Sequence, residues 1–264
     1  MAFHDKVAWI TGASSGIGEA LAYALHERGA KLILSARREQ KLEEVKESCG
    51  GDPSAIHILP LDLTDTDSLD SKAQQALNQC GSVDYLFNNG GISQRSLAID
   101  TEMEVIRKVM EVNFFGAVAL TKALLPSMIK HKSGHIVVTS SVMGKFGTRL
   151  RSSYASSKHA LHGYFDCLRQ EVQEHNINVS LVCPGFIKTD VTKNALEGDG
   201  SKHNKMGQGQ QHGMPPDAFA EKLLPKIEKK KNEIYIGGKE IAGIYLKRWA
   251  PNLLNKILLK SDVT

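Results

Sequence analysis

Tyr154 and Lys158 stand four residues apart in the stretch Ser153-Tyr154-Ala155-Ser156-Ser157-Lys158-His159. On a helix that spacing places both side chains on one face, an ammonium one turn from a phenol. A phenol ordinarily titrates near pH ~10, too high for proton exchange at neutrality, and an adjacent cation favours its charged form. Lowering it by about three units takes roughly 4 kcal/mol of differential interaction. The spacing alone describes a solvated helix face equally well, so the pair gains meaning only from its surroundings. Ser141 closes the apolar run before it, with twelve residues between Ser141 and Tyr154. A strand end, a loop and a helix start can thus bring hydroxyl and phenol to one ligand. Asn113 lies inside a helical segment at about 102–130, where asparagine is a mediocre helix former and needs either solvent or a polar contact in a site.

A second set of residues has the chemistry to hold a dinucleotide. Thr11-Gly12-Ala13-Ser14-Ser15-Gly16-Ile17-Gly18 lies between an apolar strand and an amphipathic helix carrying Ile17, Leu21, Ala24 and Leu25. Glycines there permit a tight turn and let the backbone approach a pyrophosphate at the helix N-terminus. Three residues separate the first two glycines, a departure from the GxGxxG spacing. After the second strand, where a carboxylate would bind the 2′-hydroxyl of NAD, the chain has Ala36, Arg37 and Arg38. A guanidinium suits a 2′-phosphate by charge and by its fork of donors, so NADP is expected, with Arg37 as the first contact. Asp62-Leu63 after the third strand is placed to meet the adenine, or Asp62 to cap a turn. Asn88-Asn89-Gly90-Gly91 follows the fourth strand, and Cys183-Pro184-Gly185-Phe186-Ile187-Lys188-Thr189 follows the sixth. Both turns belong at the carboxyl edge of a parallel sheet, where Asn89 and Gly90, and Ile187 and Thr189, would reach the cofactor.

The elements that must position these groups follow from alternation of short apolar runs with helical periodicity. Strands are expected at 7–10, 32–35, 56–59, 83–87, 135–140, 178–182 and 233–236, with helices in most gaps. That pattern predicts an α/β fold of the Rossmann-like, doubly wound type: a seven-stranded parallel sheet with helices on both faces. The absence of repeats or a Pro/Ser-rich linker favours one domain over 1–264. The helical segment at 102–130 is expected to be interrupted near Pro126. Residues 190–214 lose apolar periodicity and read as a mobile substrate flap. Residues 241–264 form an apolar-basic tail that packs on its own domain or a partner subunit, or lies on a membrane surface.

Composition excludes several classes. A net charge of +4 and a longest lysine run of Lys229, Lys230 and Lys231 give no footprint for nucleic acid. The four cysteines, Cys49, Cys80, Cys167 and Cys183, are scattered, as packing residues of a reducing compartment are. His203 and His212 have no companion at ligand spacing, so no metal is expected. The short approach to the first strand leaves no room for a signal peptide, and no apolar run suggests a transmembrane segment. A cytoplasmic protein is the expectation.

In chain order, Thr11 to Gly18, Asp62, the run from Asn88 to Gly91, Asn113, Ser141, Tyr154-x-x-x-Lys158 and Pro184-Gly185 resemble the motif set of the short-chain dehydrogenase/reductase family, over roughly residues 6–240. Gly90 stands where that family usually has alanine. The run from Asn88 to Ser96 and the SARR stretch from Ser35 look like the branch of dehydrogenase/reductase member 7. Some members of that branch carry an N-terminal membrane anchor, which this sequence does not show.

The resemblance implies hydride transfer between a nicotinamide and a carbonyl or carbinol carbon. It assigns Asn113, Ser141, Tyr154 and Lys158 as catalytic. Tyr154 would exchange the oxygen proton, Lys158 would favour phenolate and hold the nicotinamide ribose, Ser141 would bond the substrate oxygen, and Asn113 would position a water near Lys158. Pro184 and Gly185 would join the cofactor contacts. The implied activity is that of an NADP(H)-dependent oxidoreductase for a lipophilic ketone, aldehyde or secondary alcohol, steroid-like, retinoid-like or xenobiotic. A 3-oxoacyl thioester reductase is the alternative. A non-catalytic NADP sensor is a further one, although its usual sign would be the loss of Tyr154 or Lys158. A homodimer or homotetramer is expected, paired through the 102–130 segment and the helix after Tyr154.

Overall fold

The computed structural model describes residues 2–205 and 207–260. Residues 261–264 of the expected tail, and position 206 of the expected flap, lie outside the described residues.

Strands β1 (Val7–Thr11), β2 (Lys31–Ser35), β3 (Ile56–Ile58), β4 (Tyr85–Asn88), β5 (Gly134–Thr139), β6 (Ile177–Pro184) and β7 (Glu233–Ile236) form one parallel sheet in the order β3-β2-β1-β4-β5-β6-β7. The order reverses between β1 and β4, which opens the crevice that such sheets use for ligands. Alternation along each strand sends side chains to two cores. Ala8 and Ile10 of β1 face α1 (Gly16–His26), and the same core takes Leu42 of α2 (Glu39–Cys49). Val7 and Trp9 face the other way, toward α3 (Leu69–Cys80) and the helices between β4 and β6. Trp9 is fully buried, with its Nε1 donating to Ser35 Oγ at 2.8 Å, so its one polar atom is satisfied inside the core. Burial of each such side chain contributes about 1.5–3 kcal/mol.

The helices after β4 are α4 (Met103–Met110), α5 (Gly116–His131) and, beyond β5, α6 (Ser152–Glu171). A π-helical turn, Glu111–Phe115, joins α4 to α5. The expected interruption is therefore misplaced: α5 runs through Pro126, and the irregularity centres on Asn113. Pro126 removes one N–H, but Leu124 and Met128, both buried on the sheet, hold the helix across it. The continuous helical run Met103–His131 is long and apolar enough to cross a membrane by length and composition, contrary to the expectation of no such run, because its apolar residues are interspersed with polar ones. Ala117, Leu120, Leu124 and Met128 spend much of that apolar surface in the second core.

Past β6 the chain forms α7 (Gln208–Gln211) and α8 (Pro216–Glu228), then β7, α9 (Ala242–Trp249) and α10 (Pro251–Lys260). The expected flap is tied down by single bridges, Gln94 to Leu196, Leu196 to Lys202 and Ile187 to Met214. The tail packs on its own domain, with Ile244 and Leu254 against Val142 and Phe146. Trp249, Leu253, Ile257 and Leu259 stay exposed.

Candidate active site

The glycine turn is specified by backbone geometry. Gly12 and Gly16 have φ of +67° and +60°, a region that side-chain-bearing residues rarely adopt. Gly18 is held by close approach: a Cβ there would lie 2.3 Å from the Gly12 carbonyl oxygen. Thr11 fastens this turn across the switch point, its Oγ1 accepting from the backbone N–H groups of Asn89 and Gly90, each at 3.0 Å. Helix α1 begins without a side-chain cap at Ser15, so its first-turn N–H groups remain available to an anion. Thr189 leans across the same turn, its Cγ2 being 3.0 Å from where a Gly16 Cβ would be.

A cleft of about 1050 Å³ extends from this turn along the carboxyl edge of the sheet. Of the residues expected to hold a cofactor, Gly12, Ser14, Ser15, Gly16, Ile17, Arg37, Arg38, Asp62, Leu63, Asn89, Gly90, Tyr154, Lys158, Pro184, Gly185, Ile187 and Thr189 all line it. Gly18 does not; it works behind the wall by letting α1 close on Gly12. Arg37 and Arg38 are exposed at one end. Asp62 lines the cleft, and its Oδ1 accepts from Thr64 N and Oγ1, both at 2.9 Å, as a turn-capping carboxylate does. The glycine at 90 fits its place, since a Cβ would stand 2.7 Å from Leu63 Cδ1. Uncapped amides, positive-φ glycines and two arginines at the far end suit a phosphorylated dinucleotide.

At the other end Ser141, Tyr154 and Lys158 share one wall. Ser141 is extended at φ −169° after β5, its Oγ accepting from Met143 N at 3.1 Å. One helical turn on from Tyr154, Lys158 reaches under the phenol, with Nζ 5.7 Å from the ring centroid and donating to the Thr139 carbonyl at 2.8 Å. Burial pushes Lys158 down to about 8. Burial also raises the Tyr154 phenol, with a hydrogen bond to Ser141 and the charge of Arg151 pulling downward. The expectation that Lys158 brings the phenol down is thus not met in this geometry, because desolvation outweighs the charges and the opposing cation is Arg151.

Asn113, like Gly18, does not line the cleft. It is buried: its Oδ1 accepts from Ile92 N at 2.8 Å, and its Nδ2 donates to Ile92 O and Ser157 Oγ, both at 2.9 Å. These bonds hold the side chain within the π turn Glu111–Phe115. Gly91 fills the gap between Asn113 and Lys158, a Cβ there lying 3.1 Å from Asn113 Oδ1 and 3.5 Å from Lys158 Nζ.

Several supporting residues escaped sequence reasoning. Glu240, on the turn after β7, accepts from Phe186 N at 2.8 Å and Gly238 N at 2.9 Å and so fixes the Pro184-Gly185 turn. Ser140 Oγ donates to the Lys158 carbonyl at 3.2 Å and approaches His162 Nε2 at 3.1 Å. His162, Asp166 and Glu233 offer ligand atoms within 4.8 Å of one another, a grouping no spacing suggested. Its carboxylates already hold Lys145 and Arg169. Arg95 and Arg151 line the cleft, while Arg149 is exposed and does not.

Comparison with known proteins agrees with this geometry. The family model described as short chain dehydrogenase matches residues 6–200. A Drosophila melanogaster protein named dehydrogenase/reductase SDR family protein 7-like is 45% identical over 263 residues, covering 98% of this chain and 81% of the relative. Human dehydrogenase/reductase SDR family member 7 is 40% identical over 263 residues, covering 96% of this chain and 78% of its own length. Among solved structures, a short-chain dehydrogenase from Streptomyces avermitilis superposes with a TM-score of 0.82 at 28% identity, covering 96% of this chain and 98% of the other.

Proposed function

This chain belongs to the short-chain dehydrogenase family, in the branch of dehydrogenase/reductase member 7, and on that premise we propose that it is an NADP(H)-dependent oxidoreductase for a lipophilic ketone, aldehyde or secondary alcohol. The convergence of Ser141, Tyr154 and Lys158 on one wall of the cleft carries the reading. NADP(H), when bound, supplies or accepts the hydride. Tyr154 gives its hydroxyl proton to the substrate oxygen in reduction and takes it back in oxidation. Its raised value keeps that proton in place through neutral pH. Ser141 Oγ donates to the same oxygen as charge develops on it. Lys158 holds its position through the Thr139 carbonyl and offers its remaining N–H groups to the cleft.

The preference for NADP rests on Arg37 and Arg38, which lie at the cleft end and make no ion pair among the described residues. Val142, Met143, Phe186 and Met214 give the substrate region apolar walls, which supports a lipophilic carbonyl compound. Ile99, Met103 and Phe115, exposed around α4 and the π turn, support a homo-oligomer paired through this face.

Tyr154→Phe tests the chemistry. It lowers kcat/KM by about 10²–10⁴-fold in NADPH-coupled ketone reduction, while the NADPH dissociation constant by fluorescence titration stays within about twofold. Turnover like that of the unmodified protein would sink the mechanism.

A further inference from the structure

Two buried guanidiniums stand beside the proton-transfer group, and the mechanism uses neither. Arg151 is 5% exposed and Arg95 is 9% exposed, and both line the catalytic cleft. Their tasks differ. Arg151, three residues before Tyr154, donates from Nη1 to Ser93 Oγ at 2.8 Å and to the Gln94 carbonyl at 3.0 Å, which pins the backbone carrying Arg95. Leu196 holds that backbone from the flap side, its carbonyl accepting from Arg95 N at 2.7 Å. The Arg95 side chain itself makes no hydrogen bond or ion pair among the described residues.

No acidic side chain among the described residues pairs with this charge, although Glu197 acts on Arg151 as a negative neighbour. Asp100, Glu197 and Asp199 share a smaller hollow with Arg95. Glu197 is taken by His203, and Asp199 accepts from the Ser201 backbone at 2.9 Å. Arg95 instead acts on Arg151 as a positive neighbour and, after burial, helps push it down to about 10. At that value Arg151 keeps its charge at neutral pH. On the flap side of the same cleft, the Thr192 hydroxyl is buried without a partner. A buried cation without a paired counter-ion is unfavourable, and an anion entering a partly desolvated cleft relieves that cost.

We propose that Arg95, backed by Arg151, forms a subsite for an anionic oxygen group, a carboxylate or a phosphate monoester, on the substrate whose carbonyl meets Ser141 and Tyr154. The substrate is then a lipophilic carbonyl or carbinol compound with an acidic head, a reading that rests on the oxidoreductase activity proposed above and narrows it. The planar fork of Arg95 can donate to two oxygens of either anion, and its fixed backbone sets where the head lies relative to the reacting carbon.

The test uses the NADPH-loaded full chain and three ketones built on one alkyl chain: a keto acid, its methyl ester, and the same ketone carrying a phosphate monoester. At least one anion is reduced with kcat/KM about tenfold or more above the ester, mostly through KM, and the better anion identifies the head. Arg95→Met collapses that ratio to below about twofold, whereas Arg95→Lys, which keeps the charge but loses the fork, retains part of it, a rescue that a purely packing role would not give. Equal reduction of acid, phosphate and ester, or an undiminished ratio in Arg95→Met, would overturn the subsite while leaving the oxidoreductase reading intact. If none of the three is reduced, that reading fails instead. Calorimetry then decides the subsite: dodecanoate binding more tightly than dodecanol, with the difference lost in Arg95→Met, supports it, and equal binding overturns it.

Discussion

The two ends of the cleft are built by different means. At the cofactor end the wall is backbone: Gly12 and Gly16 in positive-φ turns, Gly18 against the Gly12 carbonyl, and amides of Asn89 and Gly90 gathered on Thr11. At the substrate end it is side chains from segments far apart in sequence, joined by single bridges such as Gln94 to Leu196 and Ile187 to Met214. A backbone-built wall tolerates one residue type at each critical point, whereas a side-chain wall can be lined in many ways without loss of the fold. The two ends should therefore fail differently. Gly18→Ala is the harshest challenge, because its methyl must displace the Gly12 carbonyl and Asn89 Nδ2, which lie 2.3 Å and 2.7 Å from the Cβ position. NADPH affinity falls on the order of 100-fold by fluorescence titration, and the chain loses about 1–3 kcal/mol in urea unfolding. Full NADPH affinity in this variant would break the contrast.

Arg37→Ser asks whether a side chain at the backbone-built end behaves like those at the other. A charge-assisted pair is worth about 1.5–3 kcal/mol, so KM for NADPH rises roughly 10–100-fold while KM for NADH stays within about twofold. A parallel rise for both cofactors would mean that Arg37 supports the loop and does not select the phosphate.

The same contrast explains what the sequence revealed. The glycines at 12, 16 and 18 were legible because backbone reach demands that residue at those intervals, while the pair at 154 and 158, one helical turn apart, was legible only through the motifs around it. The sheet was legible through its buried runs, although β4 begins at Tyr85 and β6 extends to Pro184. Pro126 misled because a proline in a helix costs one bond, a loss that packing of its neighbours on the sheet can offset. Asn113 was expected to meet solvent or a polar contact in a site; it is buried in a π turn and bonded to Ile92, and the irregularity expected at Pro126 centres on it. Glu240 gave no local signal, and nothing local tied Arg151 to Gln94, since each acts on backbone more than fifty residues away in sequence.

Lys158 sits where the two ends meet, and its charge gives the mildest test. Burial places it at about 8, below the usual lysine range. An ammonium so depressed is charged below that value and neutral above it. Its charged fraction therefore drops from about 0.9 at pH 7 to about 0.1 at pH 9. Tyr154, shifted upward, keeps its proton over the same interval and adds no opposing limb. For ketone reduction, kcat/KM for NADPH reports the unliganded protein, so it should fall about tenfold between pH 7 and 9 if the Lys158 charge takes part in cofactor capture. A profile flat to pH 9.5 would mean that capture rests on the glycine turn and the arginines alone. The backbone-built end would then be sufficient for binding, and Lys158 would belong wholly to the chemistry at the other.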